Sequence, residues 1–374
     1  MKAIVLQENF LKGLSLVSRA VSSKSQLPVL SNILITTEKG QLKLSATNLE
    51  TGINYWLGAK IEKEGAICVS AKNLTEFVSF LPPEKIELEV KENSLSLKSG
   101  NYSASFVGLS PSEFPLLPTV DLKGIFSFDY QKMAEAINQL FFAASTDESR
   151  PVLTGILFQI KDGDLILVAT DGYRLSFKKI EKLKGLEKLK EIKEKIIIPA
   201  KSLVEVIRVL EEEKEGKINL DLISSSTQVV FSSAHAQVIS RLIEGDFPDF
   251  ERIIPSSYNT KIILEKEDFL RAVRSAAIFA RESANVVKLK IKKGELKISA
   301  NAPQVGENLV NLEVSQEGED NNIAFNVRYL LDFLNSTSAK KIVFETSGAL
   351  NPGVFKPEDD SSYLHLIMPV RVQE

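Results

Sequence analysis

Cysteine and histidine are nearly absent from this 374-residue chain, which contains only Cys68, His235 and His365. A single cysteine excludes an intramolecular disulfide framework, a finding typical of proteins in a reducing cytoplasm. These three residues lie too far apart in sequence for the usual ligand spacing of a zinc site. We therefore expect neither a bound metal ion nor a cofactor.

Long apolar segments are also missing, since no run reaches the 18 residues or so that a membrane-spanning helix requires. Residues 1–8 lack the apolar core and the small-residue cleavage site of a secretory signal peptide. We therefore expect a cytoplasmic protein that is neither secreted nor membrane-spanning.

Recognisable catalytic motifs are absent: the chain has no phosphate-binding glycine loop of the Walker type, no His-Glu-x-x-His and no Gly-x-Ser-x-Gly. The nearest approach to a catalytic cluster is Asp171-Gly172-Tyr173-Arg174, whose acid, phenol and guanidinium are groups that serve acid–base chemistry. An Asp-Gly pair is first of all a turn. We therefore expect a non-catalytic protein.

What the chain does contain is a threefold internal repeat. Residues 40–47, 163–170 and 294–301 each begin with glycine, continue with an acidic or amide residue and a leucine, and end in Ala-Thr or Ala-Asn. Solenoid repeats are only roughly 20 to 50 residues long, so repeats this far apart are whole domains. The predicted domains are residues 1–120, 121–255 and 256–374.

Each repeat has the same predicted order of elements, with an amphipathic helix, apolar and alternating strands, a second helix and further alternating strands. Alternating strands are typical of antiparallel sheets with one face exposed. The predicted class is therefore α+β, with two helices packed on antiparallel sheets in each domain and about eight short strands. The predicted helices are residues 8–22, 72–81, 130–144, 201–210, 266–281 and 327–334; the predicted strands before each glycine are residues 29–36, 152–160 and 286–291.

Charge is unevenly distributed, although the net charge is only −3 from 46 basic and 49 acidic residues. The predicted helices carry several lysines and arginines and few acids beyond their first turns. A basic helical face on an acidic protein suggests a polyanion such as DNA, whereas a merely solvated helix face is the plainer interpretation. Residues 178–195, rich in lysine and glutamate, are predicted to be a solvated surface helix or loop.

Six segments, in order along the whole chain, resemble the bacterial DNA polymerase III beta subunit family, the replicative sliding clamps. These segments are residues 27–34, 47–52, 150–155, 169–175, 245–250 and 368–371. The resemblance implies a processivity factor for DNA replication. It further implies a head-to-tail homodimer, a six-domain ring around double-stranded DNA that has helices inside and sheets outside.

The implied ring has a suitable size, since two chains would contribute twelve helices. At an interaxial spacing of roughly 9 Å, twelve helix axes trace a circle about 35 Å across. Subtracting a helix radius of about 5 Å on each side leaves a hole of about 25 Å. A duplex whose major groove alone is about 12 Å wide would pass through it with room for water.

The resemblance assigns DNA contacts to Lys24, Lys72 and Lys201. Many family members have an aromatic pair after the position of Arg150, where this chain has Pro151 and Val152. A base-stacking contact is therefore not expected there, and Arg150 is assigned to a partner site.

The same resemblance implies a pocket for short peptides of the polymerase III alpha subunit, the clamp-loader delta subunit and repair proteins. Its predicted residues are Arg150, Leu153, Thr170, Gly172, Tyr173, Arg174, Leu175, Pro248, Ile253, Asn326, Tyr329, Leu350, Leu366, Met368, Pro369, Val370 and Arg371. A glycine turn and adaptable apolar side chains suit a peptide groove, although each apolar residue taken alone is more typical of a core. The implied dimer interface contains Phe106, Ile278 and Phe279.

Two rival interpretations remain at this point. One is a nucleotide hydrolase that uses Asp171 and Arg174, which would need a phosphate cradle or metal that the sequence lacks. The other is a triplicated scaffold that stays monomeric and never encircles DNA.

Overall fold

The computed structural model describes residues 1–22, 27–118, 126–181, 194–211, 216–223 and 227–371. The chain forms two compact units. The N-terminal unit comprises the described residues of 1–133 and 201–242, and the C-terminal unit comprises those of 134–181, 194–200 and 243–371. Each unit therefore contains part of the central repeat.

Six α-helices lie in the described part of the chain, two in each predicted repeat. They are α1 (Gln7–Val17), α2 (Ala71–Ser79), α3 (Tyr130–Leu140), α4 (Ala200–Glu211), α5 (Lys266–Ala280) and α6 (Val327–Ser336). All six were predicted from sequence, but α1 and α3 end earlier than expected because each continues into a short 3-10 helix, Ser18–Ala20 and Phe141–Ala143.

The strands of the first repeat are β1 (Lys2–Leu6), β2 (Asn32–Glu38), β3 (Gln41–Thr47), β4 (Thr51–Gly58), β5 (Lys60–Lys63), β6 (Ala66–Ser70), β7 (Lys85–Lys91), β8 (Ser94–Ser99) and β9 (Tyr102–Val107). Those of the second are β10 (Phe126–Asp129), β11 (Gly155–Lys161), β12 (Asp164–Thr170), β13 (Arg174–Ile180), β14 (Lys195–Pro199), β15 (Lys217–Ile223), β16 (Gln228–Ser232) and β17 (Ala236–Arg241). Those of the third are β18 (Thr260–Glu265), β19 (Val286–Lys292), β20 (Glu295–Ala302), β21 (Gly306–Glu313), β22 (Ser315–Gly318), β23 (Asn321–Asn326), β24 (Lys341–Thr346), β25 (Gly353–Pro357) and β26 (Tyr363–Ile367).

Two predicted strands begin later than expected. Residues 29–31 and 152–154 belong to 3-10 helices, Pro28–Ser31 and Pro151–Thr154, instead of strands β2 and β11. Each of these short helices starts with proline, whose fixed φ and missing N–H suit the first position of a helix.

The apolar face of each sheet packs on helices. In the N-terminal unit, α1 buries Phe10, Leu14 and Val17, and its Gly13 faces β3 and β4. A Cβ atom at Gly13 would lie 2.9 Å from both Leu44 and Tyr55 side chains, so the helix approaches the sheet this closely only because this residue is glycine.

Four antiparallel sheets carry the fold. The N-terminal unit contains a five-stranded sheet, β5-β1-β7-β8-β9, and an eight-stranded sheet, β10-β15-β16-β17-β4-β3-β2-β6. The C-terminal unit contains a nine-stranded sheet, β14-β11-β12-β13-β26-β25-β24-β18-β22, and a four-stranded sheet, β21-β20-β19-β23.

The two largest sheets are each assembled from two repeats. In the N-terminal unit, β4 of the first repeat pairs with β17 of the second, with Gly52 opposite Ile239. In the C-terminal unit, β13 of the second repeat pairs with β26 of the third, with Leu175 opposite Leu366. In the first repeat, the strand that corresponds to β17 and β26 is β9. In the third repeat, the strand that corresponds to β4 and β13 is β21. Both β9 and β21 lie at sheet edges.

The lysine-rich segment differs from its prediction at both ends. Residues 178–180 belong to β13 and Lys195 begins β14, while residues 182–193 lie outside the described part of the chain. Lys178 is buried, and its Nζ lies 2.6 Å from Asp360 Oδ2. That ion pair compensates the charge and allows a lysine inside a sheet.

The described residues contain neither a membrane-spanning helix nor a cluster of potential metal ligands. None of their helices is long and apolar enough to cross a membrane. No group of three or more histidine, cysteine, aspartate or glutamate side chains is arranged to hold a metal ion among them.

Candidate functional site

The hairpin between β12 and β13 is a tight turn closed by its own side chains. Thr170 Oγ1 donates to the Arg174 carbonyl oxygen at 2.7 Å and accepts from the Gly172 N–H at 3.0 Å. Asp171 Oδ1 accepts from the N–H groups of Tyr173 and Arg174 at 2.9 and 3.0 Å. Gly172 has φ +91°, a conformation that side chains disfavour, and the only atom of the described residues within 4 Å of a Cβ placed there, its chain neighbours aside, would be Arg150 NH1 at 3.8 Å.

The Arg174 side chain extends from this turn into a polar network and is only 11% exposed. Its Nε lies 2.9 Å from Asp171 Oδ2, its NH1 lies 2.5 Å from Asp332 Oδ2, and its NH2 donates to the Phe142 carbonyl oxygen. The guanidinium also lies 4.3 Å from the centroid of the Tyr329 ring, within cation–π range. Two carboxylates therefore compensate a largely desolvated cation, and Arg174 is fixed in position.

Both oxygens of Asp171 are engaged by the turn and by Arg174. A carboxylate held in this way serves the conformation of the turn. Burial, followed by the nearby Asp171 charge, raises the pKa of the Tyr329 phenol, so Tyr329 stays neutral.

His365 lies beside this network in the core of the C-terminal unit. It is fully buried, its ring stacks on Phe333 at 5.6 Å, and its Nδ1 lies 2.7 Å from Ser176 Oγ. Burial, with a smaller contribution from the Arg174 charge, holds the pKa of His365 well below its usual range. The imidazole is therefore neutral in the folded protein.

Apolar residues around the turn form a packed cluster. Leu175 and Leu366 lie opposite each other on β13 and β26 and are buried together with Leu157, Phe250 and Val354. Four further predicted pocket residues have exposed side chains: Tyr173 (66% exposed), Leu350 (67%), Ile253 and Met368. Exposed large apolar side chains beside a packed apolar cluster are typical of a recognition surface.

The C-terminal segment is attached to this site by backbone hydrogen bonds. Met368 N–H donates to the Tyr173 carbonyl oxygen at 2.8 Å, and Val370 N–H donates to the Ala324 carbonyl oxygen at 2.8 Å. Asn326, which ends β23, uses its side chain to cap α6 through the Arg328 N–H at 3.0 Å. The structure thus joins the predicted residues of β13, α6 and the C-terminal segment in one unit.

Models of one protein family match almost the whole chain. The N-terminal domain of the DNA polymerase III beta subunit matches residues 1–118, its central domain residues 127–249 and its C-terminal domain residues 251–371. The chain belongs to the DNA polymerase III beta subunit family.

Individual relatives agree over their full lengths. A beta sliding clamp of Bacillus subtilis is 31% identical over 99% of this chain and 100% of its own length. Among solved structures, the sliding clamp of Bacillus subtilis superposes with a TM-score of 0.92 at 29% identity, and that of Bartonella birtlesii bound to griselimycin with 0.93 at 34% identity. Each comparison covers 100% of both chains.

Two of the three lysines predicted to contact DNA lie in the described part of the chain. Lys72 and Lys201 are exposed and occupy the second position of α2 and α4, whereas Lys24 lies outside the described residues. The equivalent second position of α6 is Arg328, a correspondence that comparison of the three repeats could have found. Their role in DNA binding stays a prediction.

Several of the other helix cations of the beta subunit are paired with acids. Arg19 and Arg208 both contact Glu205, and Arg271 contacts Asp268. The described helices therefore present less free positive charge than the sequence alone indicated.

The predicted interface residues lie beside the two sheet edges. Phe106 is on β9 and stacks edge-on against Phe77 of α2 at 5.7 Å. Ile278, 62% exposed, and Phe279 lie near the end of α5, where Phe279 is the nearest side chain to Gly306 of β21.

Two residues that position Arg174 in the beta subunit, Asp332 and Phe142, were missed in the sequence. Asp332 lies on α6 one turn beyond Tyr329, a helical spacing that places both side chains on one face. Phe142 contributes a backbone carbonyl, which no sequence pattern identifies.

Acid should destabilise this beta subunit through His365. Because its pKa is lowered in the folded state, the unfolded chain binds a proton that the native chain does not, and stability falls as pH drops below about 6.5. Urea unfolding at pH 7.5 and 5.5 should show the wild type losing about 1 kcal/mol more than His365→Asn over this interval. His235→Asn, at an exposed position, is the control and should behave as wild type. Equal losses in wild type and His365→Asn would contradict the assignment.

Proposed function

We propose that this chain is a DNA sliding clamp that works as a homodimeric ring in the cytoplasm, encircles duplex DNA and tethers the replicative polymerase. The proposal is carried by two strands, β9 and β21, that lie at sheet edges. The equivalent strands elsewhere in the chain pair with a neighbouring repeat. Unpaired strand edges favour association with another chain.

The internal junctions suggest how the ring closes. Strand β4 pairs with β17, and β13 pairs with β26, each joining one repeat to the next. By the order of the repeats, β4, β13 and β21 are equivalent, as are β9, β17 and β26. The third junction of the same kind is then β21 of one chain with β9 of a second copy. A head-to-tail contact used twice closes a ring of two chains and leaves neither of these edges exposed.

DNA would be held by this ring through encirclement. Lys24, Lys72 and Lys201 are proposed to contact phosphates, in contacts that are few, exchangeable and sensitive to salt. We include in the proposal the domain boundaries 1–120, 121–255 and 256–374.

The apolar surface around the 170–174 turn is proposed to bind the short peptides of the polymerase III alpha subunit, the clamp-loader delta subunit and other clamp partners. Support comes from the exposed Tyr173, Ile253, Leu350 and Met368 beside the buried cluster. Adaptable methionine and leucine side chains suit several related peptides. The engagement of Asp171 in the turn supports a role without catalysis.

The proposed interface can be tested with Ile278→Asp. Because Ile278 is 62% exposed in the single chain, the substitution should leave folding unchanged and place a charge inside the β9–β21 junction. Light scattering at low micromolar concentration should give twice 41.4 kDa for the wild type and 41.4 kDa for the variant. The control, Leu116→Asp at a 99% exposed position, should remain dimeric. A wild type of 41.4 kDa would favour the monomeric scaffold.

The pocket can be tested with Tyr173→Ala and Met368→Ala. Each truncation removes exposed apolar surface that a peptide would cover, so each should weaken binding of a labelled alpha-subunit peptide by about tenfold. Fluorescence polarisation measures the affinity, light scattering should show an unchanged dimer, and Leu116→Ala is the control. Wild-type affinity in both variants would place the peptide elsewhere.

A further inference from the structure

The outward face of the four-stranded sheet carries an unusual group of lysines. Lys288 and Lys290 lie on β19 and Lys297 on β20, all three exposed, while the alternate residues Val287, Leu289 and Ile291 are buried in the core. We call these three residues the lysine triad. No ion pair involves any of them in the described part of the chain.

The triad is electrostatically unfavourable in the isolated protein. Lys290 lies directly opposite Lys297, where side chains on adjacent strands have Cβ atoms about 5 Å apart and like charges destabilise the sheet. Lys288 is two residues along the same strand, roughly 6.8 Å away. Three acids share this face: Glu295, which lies opposite Lys292 and two residues from Lys297 on β20, Glu313 beside it on β21, and Glu307 at the other end.

Comparison of the three repeats shows that the triad is a departure. Aligned on their shared glycine, the position of Lys288 is Leu34 in the first repeat and Leu157 in the second, where both leucines pack in apolar clusters. Those faces are covered by the segments that follow each repeat, through Leu117 and Phe250 respectively. Lys43, the equivalent of Lys297, is paired with Glu38 at 3.0 Å. In the third repeat the corresponding positions on β19 and β20 are exposed, and there they are basic.

The triad is continuous with the proposed peptide pocket. Lys288 lies directly opposite Ala324 on β23, and the Ala324 carbonyl oxygen accepts from the Val370 N–H of the pocket segment. Arg371, the next residue, is exposed and adds a further positive charge at this border. A peptide that leaves the pocket along this segment reaches the triad by crossing only β23, the strand between the segment and β19.

We propose that the lysine triad binds an acidic segment flanking the pocket-binding peptide of a partner protein. This inference rests on the proposed peptide pocket. An acidic protein segment suits the face better than single-stranded nucleic acid, because the outward positions of these four fully described strands carry no aromatic side chain on which bases would stack. Asn322 and Asn311 continue the row of Lys290 and Lys297 on either side, and their amides suit the backbone of an extended peptide.

The test compares two labelled peptides on the intact protein by fluorescence polarisation. Both carry the pocket-binding segment of the alpha subunit, and one has a flank of four glutamates where the other has four glutamines. The glutamate peptide should bind wild type about fivefold to tenfold more tightly at low salt, and the advantage should shrink as salt rises.

The triple variant Lys288→Gln, Lys290→Gln, Lys297→Gln should lose this advantage and bind the glutamine peptide as wild type does. The matched control, Lys60→Gln, Lys91→Gln, Lys98→Gln, removes three exposed lysines of the N-terminal unit and should keep it. An advantage that survives in the triad variant would overturn the proposal. A second result would also overturn it: the two peptides bind wild type equally, and an oligothymidylate binds wild type but not the triad variant. The triad would then be a nucleic-acid site. Failure of both peptides to bind wild type would instead refute the pocket, and the triad proposal with it.

Discussion

The pairing of strand edges between repeats is the interaction on which the rest of this structure depends. Every backbone N–H and C=O in a sheet needs a partner, and an edge strand leaves a row of them unpaired. Each repeat meets that need by joining its neighbour, through β4 with β17 and β13 with β26. The same requirement, applied to β9 and β21, leads to the proposed closure between two chains. At each junction the repeats are therefore joined by backbone hydrogen bonds within a shared sheet, which suits the proposed closed ring.

The proposed peptide site illustrates how a repeated backbone acquires one function. The turn between β3 and β4 has the same hydrogen bonds as the 170–174 turn: Thr47 Oγ1 accepts from the Leu49 N–H, and Asn48 Oδ1 accepts from the N–H groups of Glu50 and Thr51. Leu49 has φ +74°, the conformation that Gly172 adopts in the other turn.

The two turns differ in their side chains. Where the second turn has Arg174, held between Asp171 and Asp332, the first has Thr51, whose hydroxyl is buried against Ser202 at 2.7 Å. Only the second turn therefore presents an open glycine beside a fixed guanidinium.

The sequence predicted the class, the threefold repeat and all six described helices, because hydrophobic periodicity and the glycine-initiated strand repeat with little variation. The prediction of strand was wrong at residues 29–31 and 152–154, where a proline starts a 3-10 helix. The prediction of a surface helix or loop was wrong at the ends of the lysine-rich segment, which belong to strands β13 and β14. Strand pairing between repeats was not predictable from one chain, since register depends on contacts between distant residues. Arg174 was recognised, but its fixation by Asp332 and the Phe142 carbonyl depends on tertiary structure. The lysine triad could not be predicted as a group, because it forms only through the pairing of β19 with β20.

Encirclement of DNA is the central claim, and its most direct test is topological. The purified protein should be loaded onto nicked circular DNA by its clamp loader, and the bound amount measured before and after the circle is linearised with a restriction enzyme. The account predicts that cutting releases the protein, because a ring that holds DNA by enclosure slides off a free end. Protein that stays bound to the linear DNA would show that contacts hold it, and would contradict the account.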